Sequence, residues 1–279
     1  MRLATFRDRA HGDGVAEVMG KRLAVLEATS MIDWLAGAGR EPTGAELDLD
    51  EVSLLPPVPV PPSVRDFYAF ERHVAAGWRR RGGEVPAYWY EAPAFYFSNP
   101  ASIHGSGEPV SRPPWTAELD FELEIAAIAG AGGELAGFTL MNDWSARDVQ
   151  SREVTVGLGP HKAKDFATSL GPWLVTPDEL DYEDGRLRTS ARVRVNDLEL
   201  SRCDSFEQHF PWPEIFAHAA AGTHLRPGDV LGSGTLPGGC LLELGPQDFG
   251  DGRGERWIEP GDVVLLEAEG LGALESPVV

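Results

Sequence analysis

Between Glu118 and Ile125 the chain reads Glu-Leu-Asp-Phe-Glu-Leu-Glu-Ile, with acidic and apolar residues in strict alternation. Period two is the repeat of a β-strand, so Leu119, Phe121, Leu123 and Ile125 are assigned to a core face and Glu118, Asp120, Glu122 and Glu124 to the other. Four carboxylates on one face repel unless water solvates them or a cation neutralises them. A hard divalent cation would turn that repulsion into attraction, because magnesium, manganese and calcium take oxygen ligands. A solvated outer strand is the commoner reason for such a run, so the wider sequence has to arbitrate.

The wider sequence is β-rich. Beyond residue 60, short strand-like runs follow one another at turn spacing: AFYFSNPASIHG, LDFELEIAAIAG, PWLVTPDEL, ARVRVNDLEL, GDVLGSGT, CLLELG and DVVLLEAEG. Regular helices between them are missing, which argues for a mixed α+β fold built on a β-sandwich or roll with a few short helices. Helices are expected over 64–80, 144–152 and 206–221. Pro227-Gly228-Asp229 and Pro260-Gly261-Asp262 read as turns that each open a Val-rich strand. Five prolines between Pro56 and Pro62 exclude helix and central strand there, so residues 1–60 are expected to form a small N-terminal domain ending in a stiff connector, and 61–279 the main domain.

Composition narrows the function. With 44 acidic against 24 basic residues, a formal net charge of −20, the chain is a poor partner for nucleic acid. Two cysteines, Cys203 and Cys240, lie outside any CxxC spacing and suit a reducing compartment. No apolar run reaches membrane-spanning length, and charges at Arg2, Arg7, Asp8 and Arg9 interrupt any leader-like core, so a cytoplasmic, membrane-free protein is expected.

Two further acids and a histidine stand out. Asp143, in MNDWSARDVQ, falls where a strand-like run gives way to a helix start, a position equally suited to a site or to an N-cap. Asp66 and His73 are seven residues apart, two turns if 64–80 is helical, and would then share a face. Histidine is the side chain best tuned to move protons near neutral pH.

Taken in order, Asp66…His73, Tyr96, LDFELEIA, MNDWSARDVQ, Lys164-Asp165-Phe166-Ala167-Thr168, Ser233-Gly234-Thr235 and LLEL at 241–244 resemble the fumarylacetoacetate hydrolase family from about residue 60 onward. The resemblance implies that Asp66, Glu122, Glu124 and Asp143 hold a divalent cation, with Mg2+ expected and Ca2+ or Mn2+ as alternatives. It implies that Lys164 and Thr168 complete the surroundings of the metal, Lys164 also facing developing charge. His73 would activate water and Glu243 orient it. Arg147, Gln150, Tyr96, Thr235 and one arginine of Arg79–Arg81, taken as Arg81, would contact substrate. The loop GLGPHKAKDF is one residue longer than in similar sequences, leaving Lys162 as a competitor to Lys164, and Ala167 and Ser98-Asn99 depart from the usual pattern.

The activity so implied is hydrolysis of a carbon–carbon bond in a small anionic diketo-acid, fumarylacetoacetate-like or acylpyruvate-like, by a homodimer. A lyase of the same family, decarboxylating, hydrating or isomerising a 2-oxo acid, is the alternative, and a non-catalytic metal or keto-acid binding module a remoter one.

Overall fold

The computed structural model describes residues 1–9 and 12–279. Its main feature is a twelve-stranded mixed sheet whose path runs from Pro42–Asp48 through Arg22–Leu26, Gly12–Met19, Arg2–Asp8, Thr168–Val175, Leu135–Asp143, Leu123–Ala129, Val230–Gly232 and Val64–Phe67 to Phe95–Ser98. A four-stranded antiparallel sheet, Leu198–Asp204, Ser190–Val195, Val263–Ala268 and Gly272–Pro277, accompanies it. The β-rich fold with few short helices agrees with the sequence expectation.

The central strands are buried on both faces. Along Leu123–Ala129, Leu123, Ile125, Ala127 and Ala129 enter a large core that also contains Phe121, Phe138, Trp144 and Trp212, while Ala126 and Ile128 join a second core with Met31, Trp34 and Leu35. A strand covered on both sides has no solvated face, and Asp120, Glu122 and Glu124 are accordingly 0, 3 and 0% exposed. The solvated outer strand is thereby excluded. The eight-residue run is also not one strand: it breaks at Phe121, with Leu119–Asp120 pairing Ser145–Ala146 and Leu123–Ala129 pairing Leu135–Asp143.

Several helical expectations need correcting. Residues 64–67 form a strand, fully buried and paired in parallel with Val230–Gly232, and the helix occupies only Glu71–Arg80. Four consecutive buried residues offer no amphipathic face, so sheet pairing wins over the helical pattern. The segment 144–152 yields Ser145–Ala146 as a strand before the helix Arg147–Glu153. The segment 206–221 is helical only over Trp212–Ala220, where Pro211 caps the start and Pro213 occupies the first turn. Conversely, strand-like CLLELG holds a one-turn helix, Leu241–Leu244. Both Pro-Gly-Asp turns place glycine at positive φ, +90° at Gly228 and +97° at Gly261, and open strands at Val230 and Val263.

The proline-rich stretch is irregular and lies against the sheet: Leu55 N donates to Thr5 O, and Thr5 Oγ1 donates to Pro57 O at 2.7 Å. Arg2–Asp8 pairs with Thr168–Val175. The first 60 residues thus extend the sheet that carries the site.

Candidate functional site

Six neighbouring strands each bring one residue to the same end of the large sheet. Tyr96 on Phe95–Ser98 is the cross-strand partner of Asp66; Asp66 pairs with Gly232; Glu124 lies on the next strand; Asp143 follows and pairs with Thr168. Strands in a sheet lie about 4.8 Å apart, so side chains from alternate strands can meet over a strand that carries none. Gly232 is that position. A Cβ there would sit 2.5 Å from Asp66 Oδ1 and 3.0 Å from Glu124 Oε2. Glycine therefore leaves the space into which the two carboxylates converge. Gly234, at φ +79°, then turns the chain so that its N–H points at both, 3.3 Å from Asp66 Oδ1 and 3.1 Å from Glu124 Oε2.

Oxygen atoms of Asp66, Glu122, Glu124 and Asp143 all lie within 4.8 Å of one another, and all four residues are buried. Lys164 Nζ donates to both Glu122 and Asp143, and Tyr96 Oη donates to Asp143 Oδ2. Arg147 donates from NH2 to Glu122 Oε1 at 2.6 Å, from Nε to Asp120 Oδ2 at 2.7 Å and from NH1 to Gln150 Oε1 at 2.9 Å. Five buried carboxylates thus face two buried cations.

The electrostatic consequences differ along the cluster. Burial, then the neighbouring Asp143 charge, pushes Asp66 up to about 8, and burial beside Asp66 drives Glu124 well above the ordinary carboxylate range. Burial also raises Asp143, against the opposing pull of Lys164. Glu122 moves the other way: burial works to raise it, but the charges of Arg147 and Lys164 outweigh that and hold it below its usual value. Without a cation, protons must make up the charge deficit at the Asp66–Glu124 side.

A divalent cation fits these donors. The set is all oxygen, as hard cations require. Asp143 Oδ1 and Thr168 Oγ1 are buried without a hydrogen-bond partner among the described residues, so both retain lone pairs for a ligand.

Beside the cluster, His73 Nδ1 and Glu243 Oε1 are 2.6 Å apart. The hydrogen bond to His73 keeps Glu243 ionised, below the ordinary range, although burial opposes this. Tyr68 packs edge-on against the imidazole, ring centroids 5.4 Å apart, and burial pushes its phenol up to about 12.

All of this opens on a cavity of about 520 Å³. Asp66, His73, Tyr96, Glu122, Glu124, Arg147, Gln150, Lys164, Thr235 and Arg81 line it; Asp143, Thr168 and Glu243 stand behind. Lys162 instead pairs with Asp165 in solvent. Arg81 stacks on Trp78 at 4.4 Å, Arg80 also reaches the cavity, and Arg79 does not. Thr235 Oγ1 donates to Glu124 Oε1 at 3.4 Å. Asp66 and His73 meet here as a strand residue and a first-turn helix residue, not as two turns of one helix. Asp120 leaves the cluster altogether, because its carboxylate accepts from Arg147, Leu241 N and Leu242 N. The sequence motifs did not include Tyr68 or Gly232, and Gly234 stood in Ser233-Gly234-Thr235 without a role. For Tyr68 the signal was present, since period two from Asp66 puts residue 68 on the same side.

An all-carboxylate pocket beside a histidine–glutamate pair, closed by a β-rich scaffold, is the arrangement of a cation-dependent enzyme class. The chain belongs to the fumarylacetoacetate hydrolase family: the model described as "Fumarylacetoacetate (FAA) hydrolase C-terminal" matches residues 63–279, and one described as "Rv2993c-like, N-terminal" matches residues 1–57. Members of this family are enzymes that use a divalent metal. Among curated relatives, fumarylacetoacetase of Oryza sativa subsp. japonica is 32% identical, over 73% of this chain and 62% of the relative, so the chain matches less than two thirds of its length. The solved structure of 5-carboxymethyl-2-hydroxymuconate delta-isomerase from Mycobacterium smegmatis shares 26% identity at TM-score 0.74, covering 100% of this chain and 99% of the other. Fumarylacetoacetate hydrolase from Exiguobacterium antarcticum, at 21% identity, TM-score 0.76, and 100% and 99% coverage, shares the fold. No helix among the described residues is long and apolar enough to cross a membrane.

Proposed function

We propose that this chain is a divalent-cation-dependent hydrolase, with Mg2+ expected and Ca2+ or Mn2+ as alternatives, that cleaves a carbon–carbon bond in a β-diketo-acid, of fumarylacetoacetate or acylpyruvate type. The observation that carries the reading is that His73, 2.6 Å from Glu243, lines the same cavity as Asp66, Glu122 and Glu124. In this reading Asp66, Glu122, Glu124 and Asp143 hold the cation, with Thr168 completing its surroundings. When bound, the cation supplies a Lewis acid that polarises the substrate's carbonyl and lowers the cost of the departing enolate.

The chain's own residues do the rest. Ionised Glu243 accepts from His73 Nδ1–H, which fixes the tautomer and leaves Nε2 as the basic nitrogen. Water gives its proton to Nε2 as its oxygen bonds the carbonyl carbon; the carbon–carbon bond then breaks, its electron pair leaving with the enolate fragment, which takes up a proton. The products are two carboxylic acids, or a carboxylic acid and a ketone. Lys164, kept protonated by Glu122 and Asp143, has no lone pair to offer a metal and serves as a counter-charge that lets an anion enter an acidic pocket. Tyr96, Gln150, Thr235 and Arg81 contact substrate, whereas Arg147 has three of its N–H groups committed inside the protein. The homodimer implied by the resemblance and the division into a small 1–60 domain and a 61–279 catalytic domain belong to the same proposal.

A spectrophotometric screen of acylpyruvates and fumarylacetoacetate with Mg2+ and Mn2+, with products identified and the metal then chelated, tests it. Two fragments from at least one substrate support the reading. An isomerised or decarboxylated product would favour the second reading, for which the likeness to the Mycobacterium smegmatis isomerase speaks.

A further inference from the structure

We infer that Asp120 is a positioning residue that couples the two halves of the site, the cation-holding carboxylates and the His73–Glu243 pair. This rests on the functional reading above for the roles of those two halves. Asp120 is fully buried and does not line the cavity. Its Oδ2 accepts from Arg147 Nε at 2.7 Å, and the same guanidinium donates to Glu122 Oε1 at 2.6 Å, leaving Glu122 Oε2 to meet Lys164. A planar guanidinium held at Nε has little freedom left, so Asp120 sets the angle at which Glu122 presents its second oxygen.

The other half hangs on the same carboxylate. Asp120 Oδ1 accepts from Leu241 N at 2.7 Å and Oδ2 from Leu242 N at 2.9 Å. These are the first two residues of the one-turn helix Leu241–Leu244, which carries Glu243 and has no side-chain cap of its own. A single helical turn is not stable alone, so its placement comes from what its free N–H groups bind. Here that partner is Asp120. One side chain therefore fixes both the arginine that aims Glu122 and the turn that aims Glu243 at His73.

The near-isosteric Asp120→Asn variant tests this, because it removes the charge that holds Arg147 and sets an NH2 group against at least one N–H that already donates, Leu241 N at Oδ1 or Arg147 Nε and Leu242 N at Oδ2. Two quantities are read: the Mn2+ Kd of chelator-treated protein by electron paramagnetic resonance, and the acid limb of the kcat/KM pH profile at saturating Mn2+. Expected for D120N are a Kd raised about 10–100-fold and a displaced acid limb, with kcat falling more than KM changes. Arg147→Lys should move the Kd alone and Glu243→Gln the acid limb alone. A D120N protein that only melts at lower temperature, with Kd and acid limb as in wild type, overturns the inference, as does movement of one quantity without the other. Should D120N fail to fold, Asp120→Glu, which keeps the charge but displaces it by one methylene, is read by the same two measurements. If no diketo-acid is turned over the functional reading fails, yet Mn2+ Kd and the NMR titration of the His73 imidazole still decide whether Asp120 governs both halves.

Discussion

Among the described residues, the acids around Asp262 and those around Asp66 behave in opposite ways. At the Pro260-Gly261-Asp262 turn, Asp262 accepts from Arg256 NH1 and NH2 at 2.5 and 2.7 Å, Arg253 NH2 at 2.9 Å, Asn196 Nδ2 at 2.7 Å and Glu259 N at 2.8 Å. Every lone pair has a donor, and those hydrogen bonds, led by Arg256, hold Asp262 below its ordinary range against the effect of burial. In the central cluster Asp66 and Glu124 converge over Gly232 and share one backbone N–H, Asp143 Oδ1 has no partner among the described residues, and Asp66 rises to about 8. The same residue type makes a closed structural network where donors are sufficient and a candidate cation site where they are not.

The sharpest way to break this contrast is to remove one carboxylate from each cluster. Glu124→Gln should lose essentially all cation-dependent turnover and the thermal stabilisation by Mn2+, which for wild type is about 2.7 kcal/mol at 100 times Kd. Without metal it should melt close to wild type, because burial beside Asp66 already favours the neutral form of Glu124 and glutamine is neutral too. Asp262→Asn should do the reverse: it leaves Arg256 short of its partner and costs about 3 kcal/mol of stability, read by denaturant melts, with Mn2+ affinity unchanged. Next in size, His73→Ala should lower kcat by roughly 10²–10⁴-fold while Mn2+ affinity measured by calorimetry stays within error; unchanged turnover would remove His73 from the mechanism. Gly232→Ala should weaken Mn2+ binding about 10–100-fold with little change in melting temperature, since the added methyl meets only side-chain ends, those of Met141, Asp66 and Glu124.

The smallest effect is on pH. The folded value of Asp66 is raised, from 3.8 to about 8, so its contribution to metal-free stability is full below its ordinary value and is lost as pH rises through about 8. A cation displaces that proton. Mn2+ affinity should therefore climb from pH 6 to 8, by about tenfold per pH unit for each proton displaced, while the metal-free protein melts at falling temperature over the same range. A flat affinity profile would place the excess charge elsewhere.

How much of this could be read in the sequence follows from which interactions are local. Strand alternation at Leu119–Ile125 is local, and the core side of that run is as expected. The fate of its acidic side was not legible, because it depends on strands 20 and 110 residues away and on Arg147. Asp120 and Glu122 look alike in sequence, yet one caps a distant turn and the other faces the cavity. The helix expected over 64–80 starts only at Glu71 for a related reason: pairing of Val64–Phe67 with Val230–Gly232 is non-local and overrides a helical pattern. Gly232 carried no signal, since its role lies in what its missing Cβ would obstruct between two other strands.

The most direct test of the account is a calorimetric titration of chelator-treated protein with Mn2+ at pH 8. Wild type and Asp262→Asn should each bind one ion per chain with the same affinity, and Asp66→Asn and Glu124→Gln should bind none at that affinity. Wild-type protein that takes up no ion, or Asp66→Asn and Glu124→Gln variants that bind as wild type does, would contradict it.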